Sequence, residues 1–547
     1  MKICYLFNLL IAITNTVFLK KYLHIYQLKN YNNRRYFKYF KNKKSLFLLL
    51  CLFLFLFEIF FQNIMFCIVT NSILYLLNFI FVKNLIKSQK TPLVLTGKLS
   101  RLYIISIFIL LSLCFYKFGF ALIIVATFLS PTIANMLNIY DKIKNKKFIN
   151  QAKEKLKNSF TQIIAITGSN GKTSVKNILL QILSTEHTTQ ATPASFNTPL
   201  GIAKFINEEL KKDTEFLILE YGARHKNDIK KLCKLFGADY GIITTISPQH
   251  LETFKSTKNI VYAKSQLAKF LDNKPCVFNI DNLHTRQMHK EKSFNSFSAS
   301  ISEKADIYAK NLKIVDNLMH FDLIFNKKTH NLKINLLGRH NVLNICMATA
   351  IANLVEIKEE NIIKAINNLK PINHRLELIK THINILDDSY NCSPASAKES
   401  LWVLKNFSGK KMIATPGIIE CGKEKYNINF NLGKQMSFCN YCIIVGRENQ
   451  QALLNGINAS KSQNNKSNLK VFMAKNLEDA KQYFSNLQAN DTLLLLNDLP
   501  DDYKWKKNLK QFFKSFLSFQ YNLFHLHNSS FERAFQWSLI FYIANML

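Results

Sequence analysis

The sequence predicts an α/β protein, with an N-terminal multi-span helical membrane region followed by a phosphate-loop domain and a second, Rossmann-like domain. Three observations predict it. Apolar runs dominate the first 140 residues. From about residue 160 to 500, short Ile/Val/Leu strands alternate with helical stretches. A glycine turn at 167–174 joins one such strand to one such helix.

The apolar runs cover residues 3–19, 45–82 and 102–140. A helix over 45–82 would be about 57 Å long, nearly twice the hydrocarbon thickness, so it divides near Gln62-Asn63. The same reasoning divides 102–140 at Tyr116-Lys117, giving five spans. Segment 20–44 carries nine Lys/Arg and segment 83–101 five, and the stretch after Tyr140 is again rich in lysine. All three fall on one side only if the count is five, and that side is the cytoplasm. The expected protein is therefore multi-pass, held in the lipid bilayer by N-terminal helices, with everything after residue 140 in the cytoplasm. A cleavable signal peptide fits less well, because Lys20-Lys21 stands where small residues would mark a cleavage site. Glu58, inside a span, either faces a partner helix or marks a polar site.

A chain of 547 residues has room for three or four domains. Its net charge of +36 invites a nucleic-acid reading. The lysines are spread along the whole chain, however, and no DNA- or RNA-binding motif accompanies them, so nucleic acid is not an expected partner. The eleven cysteines are scattered. The close pair Cys439 and Cys442 has no second pair near it, which reads as buried free thiols.

The glycine turn carries the chemistry. Gly168, Ser169, Asn170, Gly171, Lys172, Thr173 and Ser174 follow the apolar strand 163–166 and open a helix at 174–184. Backbone N–H groups at such a turn point at an anion, Lys172 adds a charge, and the Thr173 hydroxyl suits Mg²⁺. The usual spacing would place a further glycine where Ile166 stands. This arrangement predicts binding of a nucleoside triphosphate.

Further strands are expected at 216–219, 241–244 and 275–279, with helices at 200–212, 225–236 and 258–271. A second α/β series has strands at 383–386, 411–414, 441–445 and 492–496, reached through a helix at 340–354 and the segment around Pro371. The expected organisation is a membrane region (1–140), a linker (141–160), an ATP-binding domain (161–371), a second α/β domain (372–503) and an aromatic, basic tail (504–547).

Eight motifs in fixed order make a family visible. After 167–174 come Ser-Phe-Asn-Thr-Pro-Leu-Gly at 195–201, Leu-Glu-Tyr-Gly-Ala at 219–223, His250-Leu251-Glu252 with Ala263-Lys264-Ser265, and Asn279-Ile280-Asp281. Gly338-Arg339-His340-Asn341 with Asn344, Arg375-Leu376-Glu377, and Asp387-Asp388-Ser389-Tyr390-Asn391 with Pro394 complete the set. Residues 160–503 resemble the Mur ligases, ATP-dependent amide-forming enzymes of peptidoglycan precursor synthesis, and within them the branch that adds D-alanyl-D-alanine.

The resemblance implies roles. Thr173 and Glu220 would hold Mg²⁺, with His250 on a second ion. Lys264 would react with CO₂ to give a carbamate that also holds magnesium, and Gln266 stands where the family usually has glutamate. Asn341 and Asn279 would read the adenine, Asp388 the ribose, and Arg375 the phosphates. Lys172, Lys264 and His250 would carry catalysis. The implied substrates are ATP, a UDP-N-acetylmuramoyl-tripeptide and D-alanyl-D-alanine, and the implied location is the bacterial inner membrane, with the catalytic domains in the cytoplasm. Two departures stand out. Residues 141–160 are too few for the family's UDP-gripping N-terminal domain. Thr415-Pro416-Gly417-Ile418-Ile419-Glu420 with Gly422, and Asn497-Asp498-Leu499-Pro500, resemble a membrane-attached branch. The alternatives are another superfamily ligase, acting on a lipid-linked muropeptide or a different amino acid, and an ATP-regulated membrane transporter or scaffold. Joint use of Lys264, Glu220 and His250 would be needless in the transporter or scaffold.

Overall fold

A computed structural model describes residues 96–114, 140–193, 196–247, 251–291, 294–371, 374–389, 392–419, 424–463 and 469–496, with part of 19–36. The chain forms two compact units, Met1–Lys147 and Phe148–Leu547.

In the first unit the membrane expectation is corrected. Among the described residues no helix is long and apolar enough to cross a membrane. The helix α1 (Gly97–Cys114) carries Lys98 and Arg101 in its first five residues. Within the described helix residues 102–114 are apolar, about 20 Å against a hydrocarbon core of about 30 Å. Arg101 is bound at 2.9 Å to Asp141. Segment 20–44, expected as a connecting loop, is in part helical and folds on aromatic packing. Tyr26 meets Tyr31 and Tyr36 edge to face at 5.6 and 5.2 Å, and its hydroxyl donates to Asn33. The expected spans at 3–19 and 45–82, the second half of 102–140 and the tail 504–547 lie outside the described residues. The multi-span fold class, the bilayer as a partner and the inner-membrane location are therefore unsupported.

The second unit is built on two sheets. In the first, β1 (Gln162–Thr167), β2 (Thr189–Ala191), β3 (Phe216–Glu220), β4 (Tyr240–Ile243), β5 (Cys276–Asn279), β6 (Ser296–Ser300) and β7 (Ile307–Val315) pair in parallel. The strands β8 (Leu318–Phe325) and β9 (Lys328–Ile334) extend the sheet as an antiparallel edge, in the order β2-β3-β1-β4-β5-β6-β7-β8-β9. The strand run in the sequence did not announce β7 to β9.

Both faces of the parallel part are covered, which is why its strands read as continuous apolar runs rather than alternating ones. Ile164 and Ile166 point into a core with α2 (Lys172–Leu183), and Ile163 and Ala165 into another with α3 (Pro199–Glu208), α4 (Asp228–Phe236) and α5 (Thr257–Leu271). The stretch 141–160, expected as a linker, is mostly helical over 140–157. Its Ala152 and Leu156 join the second core, and Lys155 Nζ donates to the carbonyls of Ile206 and Leu210 at the end of α3.

The helix α6 (Arg339–Leu354) packs on the first face and leads to the second sheet. There β10 (Glu377–Lys380) pairs antiparallel with β11 (Asn384–Asp388). The other strands are parallel: β12 (Lys411–Thr415), β13 (Tyr441–Val445), β14 (Lys470–Ala474) and β15 (Thr492–Leu496), in the order β10-β11-β15-β12-β13-β14. The helix α7 (Pro394–Lys405) starts on a Ser393–Ser396 capping box with Pro394 at its first turn. Cys439 and Cys442 are buried free thiols.

Candidate active site

In the first sheet β1 lies between β3 and β4, so the strand order reverses at β1. That reversal opens a crevice at the carboxyl ends of these three strands, where α/β sheets bind ligands. Each strand delivers one part of the site.

The glycine turn follows β1. Gly171 caps α2 at φ 86° and Gly168 sits at φ 150°, where a Cβ would run into the Thr244 hydroxyl. The loop is strapped to the segment after β4. Ser169 N donates to Thr245 O at 2.6 Å, Thr244 Oγ1 donates to Asn170 O at 2.6 Å, and Asn170 Nδ2 donates to Ser247 Oγ at 3.3 Å. Sequence reading missed this strap. Its signal was the polar run Thr244-Thr245 at a strand end. Lys172 Nζ donates to Gly168 O and Ser169 O at 2.8 and 2.9 Å, lying across the loop. Burial lowers its pKa, with Glu220 opposing and Arg375 adding to the shift.

Glu220 ends β3 and is buried. The Asn197 carbonyl accepts from Gly222 N at 3.0 Å, which places the 195–201 motif beside the 219–223 motif. Lys176, one turn beyond Thr173 on α2, reaches 2.8 Å from Glu220 Oε1 and donates to Thr192 O at 2.5 Å. Both side chains of this ion pair are nearly inaccessible, at 2% and 3% exposure. Lys176 was also missed, although a lysine between Val175 and Ile178 on the apolar face of a helix was the available signal.

Lys264, on α5, is 3% exposed and donates to Thr167 Oγ1 at 3.3 Å. Burial, then the nearby Lys172 charge, hold its pKa well below the ordinary lysine range, against a weaker pull from Asp228. Gln266 Nε2 donates to the Tyr262 carbonyl of its own helix. Thr173 and Glu220 offer hard oxygens of the kind Mg²⁺ takes. Glu220 Oε1 is buried without a hydrogen bond of good geometry, so this donor set fits the ion. His250 lies outside the described residues, as do Tyr390, Asn391, Glu420, Gly422 and the 497–500 motif.

The segment before the second sheet's first strands contributes Arg375, and the end of β11 contributes Asp388. Arg375 lies close enough to bear on Lys172, His340 and Asp388. It stands between His374 (φ 62°) and Leu376 (φ 54°), a turn fixed by His374 Nδ1 against Asp387 Oδ2 at 2.6 Å. Burial pushes the Asp388 carboxyl up to about 6, with the Ser400 hydroxyl, donating at 2.6 Å, pulling it back. Arg339 ties α6 to α7, bidentate on Glu399 and 4.6 Å over Trp402.

Asn341 and Asn279 are both 2% exposed and engage protein groups. Asn341 Nδ2 donates to Leu337 O and its Oδ1 accepts from Asn344. Asn279 Nδ2 donates to Thr245 Oγ1 and its Oδ1 accepts from Asp281 N. Thus the structure gathers the loop, Thr173, Glu220, Lys264 and Arg375 around one crevice, while these two amides make local bonds.

Residues 166–352 match the Mur ligase middle domain. The UDP-N-acetylmuramoyl-tripeptide–D-alanyl-D-alanine ligase of Bacillus subtilis is 29% identical over 284 residues, covering 50% of this chain and 59% of that protein. The enzyme of the same name from Haemophilus influenzae is 27% identical over 342 residues, covering 61% and 72%. The chain thus spans about 59% of the Bacillus relative's length. Among solved structures, a MurF ligase from Thermotoga maritima in complex with ADP is similar, at TM-score 0.58 and 23% identity over 65% of this chain and 80% of that one. MurF from Acinetobacter baumannii gives 0.57 and 24%, over 65% and 77%. These likenesses show a shared fold. Residues 166–352 are thus a Mur ligase middle domain, and the two sheets share the fold of those MurF structures.

Proposed function

We propose that this protein is an ATP-dependent ligase of peptidoglycan precursor synthesis that joins D-alanyl-D-alanine to a UDP-N-acetylmuramoyl-tripeptide. The observation that carries the reading is the cluster of Lys172 with the buried Glu220 and Lys264 beneath a glycine loop, with Arg375 brought to it from a second domain. A cluster this rich in buried amines is costly unless it serves anions, and triphosphate and acyl phosphate are such anions. The relatives named as D-alanyl-D-alanine ligases support the substrate assignment, and the ADP in the Thermotoga structure supports the nucleotide.

In this reading the loop N–H groups from Gly168 to Ser174 and the Lys172 ammonium cradle the phosphates, and Arg375 closes over them. Thr173 and Glu220 hold Mg²⁺, with His250 on a second ion. Bound there, magnesium neutralises charge that develops during phosphoryl transfer. The Lys264 amine, whose charged form burial disfavours, adds CO₂ and releases a proton, and its carbamate would be a further oxygen donor. Asp388 accepts from the ribose, and Asn341 and Asn279 keep unused N–H and carbonyl capacity for the adenine edge. The substrate carboxylate attacks the γ-phosphorus and ADP leaves. The dipeptide amine then attacks the acyl phosphate and phosphate leaves. Residues 161–371 and 372–503 act as the two catalytic domains, and Arg339 on Glu399 and Trp402 links them.

The test is phosphate release from ATP against a panel of amines, with a fixed muropeptide acceptor. D-alanyl-D-alanine is expected to couple. Single D-alanine is expected to be poor, because a missing substrate hydrogen bond leaves buried groups unpaired. Diaminopimelate, L-lysine and glutamate are expected to give little turnover, since no basic run lines 387–394 to clamp a distal carboxylate. Faster turnover with diaminopimelate would overturn the substrate assignment.

A further inference from the structure

We propose that Lys176 is a positioning residue of the magnesium site, tying the Glu220 carboxylate to the helix that carries Thr173; this rests on the ligase reading above. Three observations converge on it. Lys176 lies three residues after Thr173 on α2, so the two stand one turn apart on neighbouring faces of one rigid element. Its ammonium is 2.8 Å from Glu220 Oε1, and both side chains are buried away from solvent that could otherwise orient the carboxylate. The ammonium is itself anchored, donating to the Thr192 carbonyl at the end of β2, the strand next to β3. The carboxylate of β3 and the hydroxyl of α2 are thereby referred to each other through a single side chain.

The charge arrangement supports this role over a direct one. Lys172 lies across the glycine loop on Gly168 O and Ser169 O, where phosphate would be met. Lys176 instead points inward, to Glu220 and Thr192, on the buried side of α2. It touches neither the loop nor the place of the reacting atoms, so it acts through Glu220. Partners that orient metal ligands in this way are commonly worth ten- to a hundredfold in metal affinity.

The sign of the effect separates positioning from simple charge. Removing a cation beside a metal ligand should, by Coulomb attraction alone, tighten metal binding. Positioning predicts the reverse. The experiment uses the full chain with ADP and Mn²⁺, an ion of the same charge and oxygen preference that paramagnetic resonance detects. Lys176→Met is expected to weaken Mn²⁺ by about tenfold or more with metal-free ADP binding unchanged. The apparent Tm of the metal-free protein is expected to fall by roughly 10 °C, because an unpaired buried carboxylate is left. Glu220→Gln should weaken Mn²⁺ as well. Lys176→Met/Glu220→Gln should be no weaker than Glu220→Gln alone, and should regain Tm relative to Lys176→Met. If Lys176→Met fails to fold, the comparison of the double variant with Glu220→Gln carries the test. Unchanged or tighter Mn²⁺ binding in Lys176→Met, or a further loss in the double variant, overturns the proposal while the ligase reading stands. A wild-type protein that binds neither ADP nor Mn²⁺ overturns both.

Discussion

Lys172→Ala is expected to lower ATP-dependent ligation by about 10³-fold or more while the protein stays folded. The side chain lies across the glycine loop, bonded to Gly168 O and Ser169 O, and is the loop's own cation. Its loss removes charge both from nucleotide binding and from the transition state of phosphoryl transfer, where charge spreads over the equatorial oxygens. The loop itself should persist. Its shape comes from the strap to Thr244 and Thr245 and from the positive φ of Gly168 and Gly171, which stand apart from the lysine's two bonds to the loop carbonyls. Paired measurements of phosphate release and Tm check the expectation. Full activity in the variant would remove the loop from the mechanism.

The loop was legible in the sequence because local chemistry demands it. Positive φ at Gly171, an apolar strand before it and a helix after it are short-range requirements that one segment satisfies by itself. The parallel strands were legible for the same reason, since burial on both faces leaves uninterrupted Ile/Val/Leu runs such as 163–166 and 216–219. What escaped was long-range. Lys176 reads as one more lysine in a lysine-rich chain until β3 brings Glu220 alongside it. The edge strands β7 to β9 escaped because one face is solvated, so lysine and asparagine interrupt the apolar pattern. In the N-terminal unit hydropathy misled in the opposite direction. Apolar content over 102–140 was read as spans, yet among the described residues no helix is long and apolar enough to cross a membrane, while Tyr22, Tyr26 and Tyr36 of the expected connecting segment are buried against protein. Hydropathy sums cannot tell a residue facing lipid from one facing another ring.

Lys264 gives the second large effect. Its amine is buried, 3% exposed, and donates to the Thr167 hydroxyl at 3.3 Å. Burial and the Lys172 charge hold its pKa well below the ordinary lysine range, so a larger share is neutral near pH 7 than for a surface lysine. A neutral amine is what CO₂ addition requires: a C–N bond forms and that amine loses one proton, so that counted from the ammonium two protons leave and a cation becomes an anion. That reversal turns a repeller of magnesium into a ligand for it. Lys264→Ala and Lys264→Arg are both expected to lose activity by at least about 10²-fold, the arginine because its guanidinium stays cationic and cannot form the carbamate. Wild-type activity is expected to fall in CO₂-depleted buffer and to return on addition of bicarbonate, whereas neither variant responds. The bicarbonate response separates carbamate chemistry from packing, since a lysine needed only to fill the space beside Thr167 would be indifferent to CO₂. An active Lys264→Arg enzyme, or wild-type turnover unmoved by CO₂ removal, would reduce the residue to a buried amine with a structural role.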